Sequence, residues 1–252
     1  WVGHFLNVVP GPFSSVSYTL EKQFLNINYK NNNMLQFEPT KHGTGVKVIG
    51  DYGDLYGLYQ TFLKISHESN HRTHHERNRL LTVMSYEIRH AYQHDRLCEK
   101  RFFDADNEVT YLGCYIDWVT LLFTISCLRD NASYAILNEL DQANLYLLEH
   151  WCKEAMFAYD PQGANELQSF INARIPTNDE LVYHIYQDMV NEFYRMKPGK
   201  QRFRKIANLF YKYRWYGEYY NSLKEHFKSL TNDGKTTVSS YDSDYEYIDI
   251  VW

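Results

Sequence analysis

The stretch Leu35-Gln36-Phe37-Glu38-Pro39-Thr40-Lys41-His42-Gly43-Thr44-Gly45-Val46-Lys47-Val48-Ile49 decides the fold. Leu35 and Phe37 share one face of a first alternating run, and Val46-Lys47-Val48-Ile49 alternates again after a connection carrying Gly43 and Gly45. Two short period-2 runs around such a connection predict an antiparallel hairpin. Gly50-Asp51-Tyr52-Gly53-Asp54 follows, and Asp54 is placed to cap a helix from Leu55 to about Ile65. Leu55, Leu58, Tyr59, Phe62 and Leu63 give that helix its apolar stripe.

Downstream of a polar, histidine-rich stretch, a second helix is expected from about Asn78 to Asp95, with Leu80, Leu81, Met84, Ile88 and Ala91 inward. Residues 108–116 are β-rich and supply a third strand, after which Asp117 caps an apolar helix to about Leu128. Ser133 starts another helix, with Leu137, Leu140, Asn144, Leu147, Leu148 and Trp151 on its stripe. Asp160-Pro161-Gln162-Gly163 reads as a turn and an internal boundary. Beyond it the pattern is helical: a capping box at Thr177-Asn178-Asp179-Glu180, then one long helix from about Gln201 to Thr231. The expected class is therefore α+β, a small antiparallel sheet of about three strands packed on helices, with an all-helical C-terminal region. The expected division is residues 34–160 as the α+β core, 161–232 as the helical region and 233–252 as an acidic, aromatic tail. Residues 1–33, before the first patterned stretch at Met34, read as a leader or upstream segment.

The hairpin, Gly50-Asp51-Tyr52-Gly53-Asp54-Leu55, the helix segment Tyr86-Glu87-Ile88-Arg89-His90-Ala91-Tyr92-Gln93 and the strand-then-helix run 108–128 together resemble a domain family of unknown function found in bacterial proteins. The resemblance implies an organisation of hairpin, helix, variable loop, helix, strand and further helices. It implies no activity, ligand or catalytic residue.

Composition narrows the function. The chain has 252 residues, 44% hydrophobic and 17% aromatic, with 23 Tyr and 14 Phe, enough to build a large core and to argue against disorder. A net charge of −5 excludes a globally basic nucleic-acid binder. The four cysteines form no CxxC and fit a reducing, cytoplasmic setting. The longest apolar run, residues 118–125, is too short to span a bilayer.

Three constellations carry possible chemistry. His67-Glu68-Ser69-Asn70-His71 is a literal HExxH, which binds zinc when a rigid helix puts both histidines on one face. From Ser66 to Arg79, however, no aliphatic or aromatic side chain anchors such a helix, so the stretch reads as a solvated loop. His67, His71, His74 and His75 are its candidate metal ligands. Glu87 and His90 have the i,i+3 spacing of a di-iron carboxylate pair, but no second ExxH lies in a helical stretch, and no cofactor is expected. Glu87, Arg89 and His90 remain the catalytic candidates, with hydrogen bonding to Arg89, Gln93 or the third strand as the structural reading. Residues 195–214 are basic without an acid, and Lys200, Arg202, Arg204, Lys205 and Lys212 are candidates for weak nucleic-acid binding. Phe203, Ile206, Ala207 and Phe210 form the inward stripe of that helix, and Arg204, Lys205, Asn208 and Lys212 on its far side also fit an ordinary solvated helix face.

No nucleophile elbow, Walker loop or GxGxxG occurs. The expectation is a non-catalytic interaction or regulatory module with a protein partner. The alternatives are a metal-dependent hydrolase using the His-rich loop or Glu87/His90, and weak nucleic-acid binding through 195–214. The tail, which alternates acids with Tyr241, Tyr245, Tyr247, Ile248, Ile250 and Trp252, is expected to dock on the body with its carboxylates near the basic run.

Overall fold

A computed structural model describes residues 35–68, 75–102, 108–171, 173, 175, 179–232 and 250–252. The hairpin forms as β1 (Gln36–Pro39) and β2 (Gly45–Gly50), paired from Gln36↔Ile49 to Pro39↔Val46. Its connection is closed by Thr40, whose hydroxyl accepts from the amides of both Thr44 and Gly45 at 3.1 Å. Gly43 has φ +64, and a Cβ there would lie 2.0 Å from the Tyr159 hydroxyl; this corner requires glycine on both counts.

Helix α1 (Tyr52–Glu68) starts earlier than the apolar stripe predicts. Its cap is Asp51, which accepts from the Asp54 amide at 2.8 Å, while Asp54 reaches back to the Asp51 amide at 3.2 Å. Asp54 therefore sits inside the first turn rather than before it. Helix α2 (His75–Tyr92) buries Leu80, Leu81, Met84, Ile88 and Ala91, the side the periodicity assigned.

The sheet has four strands where about three were expected. Strand β3 (Leu97–Phe102) pairs antiparallel with β4 (Glu108–Asp117), giving the order β1-β2-β4-β3. LCEKRF carries no alternating apolar signal, because β3 is an edge strand whose outer face is charged. Lys47 bonds Glu38 at 2.7 Å and Glu99 at 2.9 Å, and Arg101 bonds both glutamates at 2.7 and 3.2 Å. This network ties β1, β2 and β3 together. The other face buries Phe37, Val46, Val48, Leu112, Cys114 and Ile116 in the core.

Helix α3 (Trp118–Ala132) is buried from Trp118 to Leu128 and is packed by α1, α2, α4, α5 and α6. An apolar helix wrapped on all sides is the centre of the molecule. Helix α4 (Glu139–Tyr159) begins later than Ser133. Asn138 and Asp141 form its capping box, and it buries Leu145, Leu148, Cys152, Ala155 and Met156. The expected stripe is thus rotated by about one residue, and Leu140 is 65% exposed. Asp141 leaves the surface because Lys64 and Thr61 hold its carboxylate.

The turn at Asp160 is a single-residue corner. Helix α5 (Pro161–Ile171) starts at once, with Pro161 at its first position and the Gly163 amide donating to Asp160 at 3.1 Å. Helix α6 (Val182–Arg195) has no side-chain cap; Asp179 accepts instead from the Leu181 amide and the Tyr220 hydroxyl. The expected long final helix is broken into α7 (Lys200–Arg204), α8 (Ile206–Lys212) and α9 (Glu218–Asn232). Tyr216, at φ 56, marks the second break. These short helices let Phe203, Phe210, Tyr213 and Tyr220 reach different parts of the core, which one straight rod would not allow.

Arg204 grips Asp160 through two nitrogens at 2.6 and 2.9 Å, and this guanidinium holds the carboxyl down to about 2. The folded value lies below the unfolded one, so the pair stabilises the fold above about pH 4, and that contribution is lost as pH falls towards 2. Asp160→Asn should cost about 1–2 kcal/mol at pH 7 after allowance for solvent around Arg204. Urea denaturation should show the wild-type advantage shrinking steadily from pH 4 to pH 2.

Candidate functional site

Strand β3 accompanies β4 only as far as Leu97↔Gly113. From Cys114 to Asp117, β4 pairs with β2 on one side and with no described strand on the other. A crevice of about 430 Å3 opens along this edge. Val83 and Glu87 of α2 and Arg96 form one wall; Tyr186, Val190 and Tyr194 of α6 form the other.

The floor is polar and buried. Asp117 accepts from the Thr120 amide at 2.9 Å, the Thr120 hydroxyl at 2.5 Å and the Tyr194 hydroxyl. With Thr120 donating to Asp117, Tyr186 donates to Thr120 across 2.8 Å. Burial pushes the Asp117 carboxyl up, against the pull of these hydrogen bonds.

Behind Asp117 lies Arg202, which is only 3% exposed. Its guanidinium sits 4.6 Å from the centre of the Phe193 ring and donates through Nη2 to Thr44 Oγ1, while Nε is buried without a hydrogen-bond partner. Among the described residues it forms no ion pair. Burial pulls its pKa down, and the nearest opposing influences are Tyr194, Tyr159 and Asp117. A buried arginine stays charged and is costly to leave without a counter-charge.

Residues 250–252 run along one side of this crevice. The Trp252 ring stacks on Tyr115 at 5.0 Å and 20°, and the Thr44 hydroxyl donates to the Val251 carbonyl. Ile250 and Trp252 complete the lining. The carboxylates at 242, 244, 246 and 249 lie outside the described residues.

The other candidates are distributed elsewhere. Glu87 faces the crevice, but both its oxygens are held by Arg96 at 2.7 and 3.1 Å. His90 turns instead to Asp95 at 2.9 Å and packs on Tyr86, and Arg89 lies over that same ring. The Glu87/His90 spacing therefore does not converge on one point. His67 is exposed in the last turn of α1, and His75 opens α2 rather than lying in a loop; His71 and His74 lie outside the described residues. Among the described residues no group of three His, Cys, Asp or Glu could hold a metal.

The basic run does not share one face. Arg202 is interior, Arg204 is held by Asp160, and Lys200 and Lys212, though paired with Asp160 and Glu192, are exposed like Lys205. The helical wheel gave Arg202 no place on either side; it is interior because α7 is a five-residue turn packed on α5, not part of a long rod. Nothing in its sequence context marks Arg202 as interior. Asp117 was readable as a cap, though not as buried, and Trp252 as an aromatic tail residue.

The architecture is that of an α+β domain with a C-terminal segment laid across a partly polar crevice. The chain belongs to the family described as Domain of unknown function (DUF6904), whose model matches residues 35–252. No curated protein and no solved structure matches it. Among the described residues no helix is long and apolar enough to cross a membrane.

Tyr115→Ala removes the ring beneath Trp252 without touching the core. The indole N–H signal of Trp252 should move to its random-coil position in a 1H–15N spectrum, while the signals of the buried Trp118 stay in place.

Proposed function

We propose that this protein is a non-catalytic interaction module whose crevice receives an extended, aromatic-bearing segment of a partner protein. Its own residues 250–252 fill that place when the partner is absent. The observation that carries this reading is the seating of the tail: a ring stacked on Tyr115 and a main-chain carbonyl taken by Thr44. A ring stacked on an aromatic side chain and a main-chain carbonyl taken by a side-chain donor can hold an extended segment without adding it to the sheet.

Magnitudes favour exchange. Stacking contributes about 0.5–1.5 kcal/mol and a hydrogen bond backed by a charge about 1.5–3. Ordering three residues costs about 1–2 kcal/mol each, so partial burial of the indole leaves a small net gain. A tail held this loosely yields to a competitor.

The hydrolase alternative has less support. Glu87 is neutralised by Arg96, and burial pushes the Cys114 and Cys152 thiols up, away from the nucleophilic thiolate. Nucleic-acid binding through 195–214 has less again, since Lys200, Arg202, Arg204 and Lys212, four of its eight cations, are buried or paired with carboxylates. All four cysteines are free, which supports a cytoplasmic setting.

The test uses a labelled peptide of residues 248–252, Ile-Asp-Ile-Val-Trp, titrated by fluorescence anisotropy into three full-length proteins. Trp252→Ala should bind it at least about tenfold more tightly than wild type, whose own tail competes at millimolar effective concentration. Adding Tyr115→Ala to Trp252→Ala should abolish binding. Equal binding by the single and double variants, or none by Trp252→Ala, would overturn the reading.

A further inference from the structure

Arg202 and Thr44 specify which oxygen the crevice is built to hold. A guanidinium can only donate, so the Arg202–Thr44 bond uses a lone pair of the threonine oxygen. The single hydroxyl proton of Thr44 is then aimed outward, at the Val251 carbonyl. Thr44 is fully buried, and its main-chain amide and carbonyl are already taken by Thr40 and Trp118. The charge of Arg202 is thus relayed through one hydroxyl to one point, the Val251 carbonyl between the two crevice-lining residues Ile250 and Trp252.

A neutral carbonyl does not balance a buried cation. The acidic groups around it do so only in part. Asp117 acts on the cation electrostatically but forms no ion pair with it and gives its hydrogen bonds to Thr120 and Tyr194, and Glu87 on the crevice wall is paired with Arg96. One buried nitrogen of Arg202 still lacks an acceptor. An anionic oxygen at the Thr44 hydroxyl would supply the missing counter-charge.

We propose that the Thr44 hydroxyl, polarised by Arg202, is a carboxylate receptor, and that the partner segment places a carboxylate at Thr44 and an aromatic ring on Tyr115. The Val251 carbonyl occupies the position of that carboxylate in the self-bound state. This inference rests on the reading of the crevice as a receptor for an aromatic segment.

Two small probes separate the questions. In N-acetyltryptamine the acetyl carbonyl stands from the indole where the Val251 carbonyl stands from the Trp252 ring. Indole-3-butyrate puts a carboxylate carbon at the same separation. Both are titrated calorimetrically into full-length Trp252→Ala, which vacates the ring position. Indole-3-butyrate should bind about tenfold more tightly than N-acetyltryptamine, the difference between a charged and a neutral acceptor. In Trp252→Ala/Arg202→Met the preference should fall to about twofold or less. Should that variant fail to fold, Trp252→Ala/Thr44→Val, which keeps the guanidinium but removes the relay, should lose the preference as well. Equal affinity for the two probes in Trp252→Ala, or a preference that survives loss of Thr44, overturns the carboxylate assignment and leaves the crevice reading standing. Failure of both probes to bind, or binding unaffected by Tyr115→Ala, overturns the crevice reading itself.

Discussion

Strand β4 passes into helix α3 with no residue between them, at Asp117, and this junction is buried. The first amides of a helix need acceptors, and none can come from water here. Asp117 takes the Thr120 amide, and the Thr44 carbonyl takes the Trp118 amide at 3.1 Å. The hairpin corner must therefore sit directly on the helix start. Gly45 makes that possible, since a Cβ there would lie 1.9 Å from the Ile116 carbonyl oxygen. A carboxylate buried to cap a helix then needs further donors, and the Thr120 and Tyr194 hydroxyls provide them, with Tyr186 bonded in turn to Thr120. The polar floor of the crevice is a consequence of how α3 is started.

The same junction accounts for the position of Arg202. Thr44 is fixed by its backbone bonds, and its buried hydroxyl donates to the Val251 carbonyl. The tight turn of α7 delivers a guanidinium to it from behind. The Phe193 ring packs on the cation, which suits the flat, weakly hydrated face of arginine but leaves its charge only partly answered. The stacking surface and the open edge of β4 then line one crevice, and the relayed donor holds the segment 250–252 along its side.

Periodicity is local, and what depended on local pattern was legible. The hairpin, the inward stripe of α2 and the Asp117 cap follow directly from alternation, the 3.6 period and a capping residue. What depended on distant partners was not. Strand β3 is held by Lys47, Glu38 and the β4 ladder rather than by its own pattern. The stripe of α4 rotated because its capping box lies at Asn138 and because Lys64, far away in sequence, draws Asp141 inward. The basic run looked like one solvated face because a helical wheel assumes an unbroken helix, and this one breaks twice. The candidate site was legible in fragments: Glu87 on its wall, Asp117 on its floor, the aromatic tail across it. Its centre, Arg202 against Thr44, joins positions 158 residues apart, and no local pattern signals that.

The central claim is that the Thr44 hydroxyl and the Trp252 ring hold one segment together in one place. A double-mutant cycle on folding stability, with Thr44→Val and Trp252→Ala alone and combined, measures that directly by urea denaturation. The account predicts a coupling of about 0.5–2 kcal/mol, because either change alone releases the tail and leaves the other little to lose. Additivity to within about 0.3 kcal/mol would contradict it: the hydroxyl and the ring would then act independently, and the tail would not be a seated ligand.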